Sequence, residues 1–153
     1  MKQTAWPKLP TQGDLICLGD GLVFQIHKQW HTCYLILIRE VTKNEAIIYP
    51  PVILKGTETS TGWEKVLASL PNQIKQRIRA LVCDGHRGLV YYAMRQRWLI
   101  QRCHFHLLAA IGGRRSRARR SRHKAEGDRI YALVKRVLNE SDERTIPKLL
   151  LQI

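Results

Sequence analysis

The sequence has few acidic residues, no long apolar run and no close pair of cysteines, and each shortage excludes a class of protein. No uninterrupted apolar stretch approaches the roughly 20 residues of a transmembrane helix, and the segment "MKQTAWPKLPTQGDL" lacks an apolar signal core. We therefore expect a cytoplasmic protein with no membrane partner. The four cysteines stand apart, in or beside apolar runs. This spacing favours buried, reduced thiols over a disulfide framework.

Positive charge is what the sequence has in excess. Lysine and arginine outnumber aspartate and glutamate by 26 to 12, so the net charge is +14 and the isoelectric point is near 10.2. Such an excess favours a polyanionic partner, most often nucleic acid. The alternative is a basic protein that has no such partner.

The apolar pattern predicts three strands followed by alternating helices and strands. The chain has 153 residues, 44% of them apolar, which suits one domain with a substantial core. Strand-like segments at 15–25, 31–39 and 46–54 are joined by short polar links, which indicates an antiparallel meander. Two further strands, 80–83 and 98–102, alternate with helices. The order predicts an α/β protein with a ribonuclease-H-like mixed sheet, three antiparallel strands and then parallel βα units, followed by a helical C-terminal segment.

The composition changes after residue 111, where glycine and then dense arginine follow the apolar core, and this change predicts three regions. Residues 13–111 carry the predicted core, and a helix over 104–111 ends it. Residues 112–124 form a basic segment whose glycine start and irregular arginine spacing predict a mobile loop that orders on DNA. A solvated linker is the alternative, and both can hold. Residues 125–153 carry an amphipathic stripe and predict the start of a helical insertion.

The basic segment is the strongest electrostatic feature of the sequence. Each of its cations can neutralise a phosphate and release counterions. Phosphate contacts position a protein on DNA without reading the sequence. The predicted DNA-binding residues are Arg114, Arg115, Arg117, Arg119, Arg120, Arg122 and Lys124.

Two aspartates stand where a parallel sheet gathers its ligands. Asp84 ends the first strand after the meander, and Asp20 lies within the first strand between two glycines. Ligands collect at the carboxyl ends of parallel strands, and in a ribonuclease-H-like sheet these two strands are adjacent. Because adjacent carboxylates repel each other, they favour a shared divalent cation, Mg²⁺ or Mn²⁺. Asp20 and Asp84 are therefore candidate metal ligands and catalytic residues for phosphoryl transfer on DNA or RNA.

Each aspartate also has an ordinary structural interpretation. The segment "LGDGLV" is a good hairpin turn with Asp20-Gly21 at its centre. The segment "CDGHRG" fits a strand-to-helix turn in which Asp84 caps the helix.

The segments "LVCDGHRGL" and "WLIQRCHFHLL" together resemble the catalytic domain of DDE transposases of the Mutator-like group of prokaryotic insertion sequences. In that group the second catalytic aspartate lies in an "SDGHxGL"-like segment, and a Cys-x-x-His signature ends the next strand. The resemblance assigns these positions to Asp84 and to Cys103 with His106. On looser grounds it assigns the first catalytic aspartate to Asp20. It covers about residues 13–111.

The resemblance implies a ribonuclease-H-like fold, Mg²⁺ or Mn²⁺, and cutting and joining of double-stranded DNA at transposon ends and target. It also implies a prokaryotic, nucleoid-associated protein, and it is compatible with a homo-oligomer. It also implies a third acid, a glutamate on a late helix beyond a helical insertion. We expect that glutamate to be absent from this chain, with Glu126, Glu140 and Glu143 as substitutes. We therefore expect a fragment of a longer transposase, without its N-terminal DNA-binding region and with weak or no transposition.

The Cys-x-x-His pair has three interpretations. Cys103 and His106, with His86, are expected to support the active site. Zinc binding is the second interpretation, with Cys83 or His86 completing four ligands. Packing alone is the third.

The leading function is that of a transposase catalytic core. A ribonuclease-H-like nuclease would cut DNA without joining it, and the Cys-x-x-His signature argues against it. A non-catalytic DNA-binding remnant would keep the basic surface and lack the third acid.

Overall fold

A computed structural model describes residues 12–117, 124–142, 144–145 and 147 of the chain. The chain divides into two compact units, Met1–Arg102 and Cys103–Ile153. The described strands are β1 Leu15–Ile26, β2 Gln29–Glu40, β3 Ala46–Ile48, β4 Val52–Lys55, β5 Ile78–Cys83 and β6 Leu99–Arg102. The described helices are α1 Ser60–Ala68, α2 Asn72–Lys75, α3 Arg87–Arg95, α4 His104–Arg117 and α5 Lys124–Asn139.

The first unit is built on a mixed sheet with the order β3-β2-β1-β5-β6. Strand β2 pairs antiparallel with β1, β3 and β4. Strand β5 pairs parallel with both β1 and β6. The prediction of antiparallel strands followed by parallel βα units is confirmed as a mixed α/β arrangement. The ribonuclease-H-like assignment stays a prediction.

The predicted third strand, 46–54, is two strands in the structure. Strand β3 pairs with the Leu37–Arg39 part of β2, and β4 pairs with the His31–Tyr34 part. Pro50 and Pro51 separate them. Proline has no backbone N–H to donate to a ladder, so the prediction of one continuous strand is wrong.

The core of the first unit lies on one face of the sheet. Alternate residues of a strand point to opposite faces, and Leu15, Cys17 and Ile38 are all fully buried. Helices α1 and α3 cover this face. Trp63 of α1 is also fully buried, and its ring meets Tyr34 edge-on with 4.9 Å between ring centroids. The sheet therefore has a rigid, close-packed layer behind it.

In the second unit, α4 is longer than the predicted helix 104–111. It continues to Arg117, so the prediction of a mobile loop is wrong for residues 112–117. Arginine is a good helix former, and a helical glycine costs only about 1 kcal/mol, so Gly112 and Gly113 do not end the helix. Residues 118–123 of the basic segment lie outside the described residues.

The amphipathic stripe after residue 124 forms α5. The compact units divide after Arg102, whereas the predicted core extends to residue 111. The division into core, linker and insertion stays a prediction. Among the described residues, no helix has the length and apolar character needed to cross a membrane.

Candidate active site

Asp20 and Asp84 follow matched positions on two parallel strands. In the β1–β5 ladder Gly19 pairs with Cys83, and the next residue on each side is an aspartate. Asp20 is exposed and Asp84 is half-buried. The register therefore brings two carboxylates to the same level of adjacent strands, at the carboxyl end of β5.

The hairpin-turn interpretation of Asp20 is wrong. Strand β1 runs unbroken through Asp20, which pairs with Leu35 of β2. The turn lies at His27 and Lys28, which have positive φ angles of 48° and 63°. A two-residue hairpin turn of this kind requires positive φ at both positions. The turn contains no glycine, but it falls within the short polar link predicted between the segments 15–25 and 31–39.

The two glycines that flank Asp20 allow a close approach from the helical layer. A Cβ atom at Gly19 would lie 3.1 Å from Leu89 and 3.6 Å from the ring of Trp63. A Cβ atom at Gly21 would lie 2.7 Å from Cδ of Glu58. A side chain at either position would therefore require its neighbour, Leu89 or Glu58, to shift.

Asp84 begins the turn between β5 and α3. Its Oδ1 accepts a hydrogen bond from the backbone N–H of His86 at 2.7 Å. Gly85 has φ of +96°, a conformation that favours glycine. The guanidinium of Arg102, on β6, occupies the space where a Gly85 side chain would stand. Asp84 thus lies in a constrained turn with a cation beside it.

The helix cap is His86, so the interpretation of Asp84 as the cap of α3 is wrong. His86 Nδ1 accepts a hydrogen bond from the Gly88 backbone N–H at 3.1 Å. The predicted strand-to-helix turn is present, but a different side chain closes it. His86 has a structural task next to Asp84.

Glu58, between β4 and α1, is a third carboxylate in this region that sequence reasoning missed. Its Oε1 accepts a hydrogen bond from Trp63 Nε1 at 2.6 Å and lies 3.9 Å from His86 Nδ1. The segment "GTETST" has no feature that marks a site. The one signal was the glycine directly after Asp20, which left room for a neighbour.

Cys103 and His106 lie at the start of the second unit. Cys103 precedes α4, and its carbonyl accepts a hydrogen bond from the Leu107 backbone N–H at 3.0 Å. His106 lies in the first turn of α4, where its ring is 5.3 Å from that of Phe105. Their predicted support of the Asp84 site stays a prediction.

The donor set decides which metal the region fits. No three His, Cys, Asp or Glu side chains of the described residues are grouped closely enough to hold a metal ion. A structural zinc site needs four ligands, so the zinc interpretation has no ligand cluster among those residues. Mg²⁺ keeps several waters and is bound through one or two carboxylates. The oxygen pair of Asp20 and Asp84 fits Mg²⁺ or Mn²⁺ in this way.

All four cysteines are free thiols. Cys17 and Cys83 are buried, as predicted, whereas Cys33 and Cys103 are half-buried. Burial, followed by the neighbouring Cys83, raises the pKa of Cys17 to about 12. Cys17 is therefore a protonated core residue at neutral pH.

The comparison with known families decides the identity. The model of the family "Transposase, Mutator family" matches residues 47–143, which is more than half of the chain. The chain belongs to the Mutator family of transposases. The matched range includes Asp84, Cys103 and His106, and Asp20 lies before it. No curated protein matches the chain.

In this transposase, the described part of the basic segment is helical. Arg114, Arg115 and Arg117 belong to α4, and Lys124 is the exposed first residue of α5. The remaining predicted DNA-binding residues lie outside the described residues; they are Arg119, Arg120 and Arg122.

The predicted substitutes for a third acid lie in the second unit of the transposase. Glu126 is in the first turn of α5. Glu140 follows α5, and its Oε1 accepts hydrogen bonds from the backbone N–H groups of Ser141 and Asp142, each at 2.9 Å. Glu143 lies outside the described residues. Their catalytic role stays a prediction.

Proposed function

We propose that the chain is the catalytic core of a DDE-type transposase that cleaves and transfers DNA strands at transposon ends. The observation that carries this proposal is the parallel pairing of Gly19 with Cys83, because an aspartate follows each. The family match supports transposition as the process. The net charge of +14 supports double-stranded DNA as the partner.

In this proposal Asp20 and Asp84 hold the metal through their carboxylate oxygens. When bound, Mg²⁺ or Mn²⁺ activates a water or a 3′-hydroxyl and stabilises the leaving oxygen of a phosphodiester. The hydrogen bond from His86 N–H orients the Asp84 carboxylate. Arg102, whose guanidinium lies over Gly85, is placed to bind a phosphate of the DNA strand, because a guanidinium matches phosphate oxygens in a bidentate way.

One observation favours a second function, that of a DNA-binding protein without catalysis. The described residues contain no group of three metal-ligating side chains, whereas the resemblance implies three acids. Such a protein would bind DNA through its basic residues and would need neither aspartate. A nuclease that cuts DNA without joining it differs from both the transposase and the DNA-binding protein in its products.

A plasmid assay tests the proposal. The full chain is incubated with supercoiled plasmid and Mg²⁺ or Mn²⁺, and nicked and joined products are measured. We expect metal-dependent nicking that Asp20→Asn and Asp84→Asn abolish. Asp14→Asn is the matched control, because Asp14 is exposed and ion-paired with Arg79, and it should leave nicking unchanged.

The products separate the three functions. Joined products in addition to nicks support a transposase, and nicks alone support a nuclease. DNA binding without metal-dependent cleavage, unaffected by Asp84→Asn, would overturn the catalytic proposal in favour of the second function.

A further inference from the structure

The Glu58 carboxylate is held in place by the core. Trp63 is fully buried between the sheet and α1, so its indole N–H has a fixed direction. That N–H donates to Glu58 Oε1 at 2.6 Å. Because the donor cannot move far, the carboxylate is fixed as well.

Glu58 touches the neighbours of both proposed metal ligands. On one side it packs against Gly21, the residue after Asp20, where a Cβ atom would lie 2.7 Å from Glu58 Cδ. On the other side its Oε1 lies 3.9 Å from Nδ1 of His86, whose backbone N–H binds the Asp84 carboxylate. One side chain thus spans the segment of Asp20 and the turn of Asp84.

The Glu58 carboxylate has few polar partners for its degree of burial. The Glu58 side chain is only 16% exposed, and a carboxylate removed from water needs hydrogen bonds or an opposite charge to offset the loss. Among the described residues, Trp63 is the one hydrogen-bond donor to Glu58, and the ring of His86 is its one basic neighbour, with Nδ1 at 3.9 Å from Oε1. No lysine or arginine of those residues pairs with it, although the chain has 26 of them. The core therefore holds Glu58 through one hydrogen bond, from Trp63.

We propose that Glu58 is a positioning residue for the metal site. Fixed by Trp63, it sets the spacing between the Asp20 strand and the Asp84 turn, and so holds the two aspartates ready to share one cation. The inference rests on the proposed function, since it takes Asp20 and Asp84 as the ligands. In this role Glu58 acts through Gly21 and His86.

Binding of Mn²⁺ to the full chain, without DNA, tests this role. Affinity is measured by titration calorimetry and by the electron paramagnetic resonance signal of Mn²⁺. Glu58→Ala should weaken binding by about 10- to 100-fold, the usual effect of losing a residue that orients metal ligands. Glu58→Gln keeps the size and an acceptor oxygen for Trp63, so it should bind nearly as the wild type does. Glu64→Ala is the control, since Glu64 is 46% exposed and paired with Arg95 on the surface.

A second variant keeps the inference testable if Glu58→Ala does not fold by circular dichroism. Gly21→Ala places a methyl group against the Glu58 carboxylate and should also weaken Mn²⁺ binding. Wild-type affinity in folded Glu58→Ala, or in Gly21→Ala when the former is unfolded, would overturn the inference. So would a loss in Glu58→Gln equal to that in Glu58→Ala, because the charge itself would then be what matters.

The two proposals fail in different ways. If the wild type binds Mn²⁺ and Asp84→Asn abolishes binding, but Glu58→Ala does not change it, only the positioning role is refuted. If the wild type shows no binding that depends on Asp84, the metal site itself is refuted, and the role of Glu58 with it.

Discussion

Gly19 on β1 and Cys83 on β5 form the last matched pair of a parallel ladder, and an aspartate follows each of them. Backbone pairing, rather than proximity in sequence, places Asp20 level with Asp84. A slip of one residue in this register would turn each side chain to the other face of the sheet. The candidate site therefore depends on the packing that fixes β1 against β5.

The approach of α3 to α1 is one part of that packing, and Gly88 permits it. A Cβ atom at Gly88 would lie 2.6 Å from the backbone Cα of Ser60, so Gly88→Ala must push the two helices apart. We expect the free energy of unfolding to fall by about 1–3 kcal/mol, as for overpacked cores. Denaturant unfolding followed by the fluorescence of Trp63 and Trp98 measures it.

Met94→Ala is the control for Gly88→Ala on the same helix. Met94 is 60% exposed, and exposed substitutions usually change stability by no more than about 0.5 kcal/mol. Equal stability of the two variants would show that α1 and α3 do not meet at Gly88.

The buried thiol of Cys17 predicts a loss of stability at alkaline pH. Its pKa is raised from 9.0 to about 12, first by burial and second by Cys83. The unfolded chain therefore loses this proton first, and above pH 9 the folded state holds the proton that the unfolded state has released. The contribution is fully present below pH 9 and is lost as the pH rises towards 12.

Cys17→Ala should make the alkaline decline of the unfolding free energy shallower than in the wild type. Cys33→Ala, at a half-buried thiol, should leave the decline as steep as before. Equilibrium unfolding at a series of pH values gives the slopes, which are compared instead of the absolute stabilities. Parallel curves for the wild type and Cys17→Ala would contradict the burial of an un-ionised thiol.

The arginines of α4 predict the salt dependence of DNA binding. Changing Arg114, Arg115 and Arg117 to alanine should flatten the plot of log affinity against log salt by about 0.9 for each phosphate that the variant no longer neutralises. Fluorescence anisotropy with a short DNA duplex at several salt concentrations measures the slope.

A matched triple variant controls for the removal of charge alone. Arg79, Arg95 and Arg144 each pair with an acidic residue, so their replacement should change the slope less. If both triple variants flatten the slope equally, or neither does, the assignment of DNA contacts to α4 is wrong.

The sequence pattern predicted the strands, because burial imposes a period on their apolar residues. It also predicted that Asp20 and Asp84 lie on adjacent strands. The apolar run before Asp84 and the glycines around Asp20 are visible in a single sequence. Link length also predicted which strands pair antiparallel and which pair parallel, because short links form hairpins and parallel strands need long crossovers.

The features that a single sequence does not reveal depend on contacts between distant segments. Glu58 becomes part of the site only because Trp63 and Gly21 meet it from α1 and β1. The hairpin turn falls at His27 and Lys28, within the predicted polar link, whereas "GDG" has the usual turn composition and lies within a strand. Helix α4 continues through Gly112 because the arginines that follow favour a helix, although the glycine predicted that the helix ends there.

A double-substitution cycle on Mn²⁺ affinity tests the central claim, that Asp20 and Asp84 share one cation. Affinities of the wild type, Asp20→Asn, Asp84→Asn and the double variant are measured under one set of conditions. If the two carboxylates hold the same ion, each single substitution removes most of the binding and the double variant loses little more. Losses that add independently, or Mn²⁺ binding that survives in the double variant, would contradict a shared site.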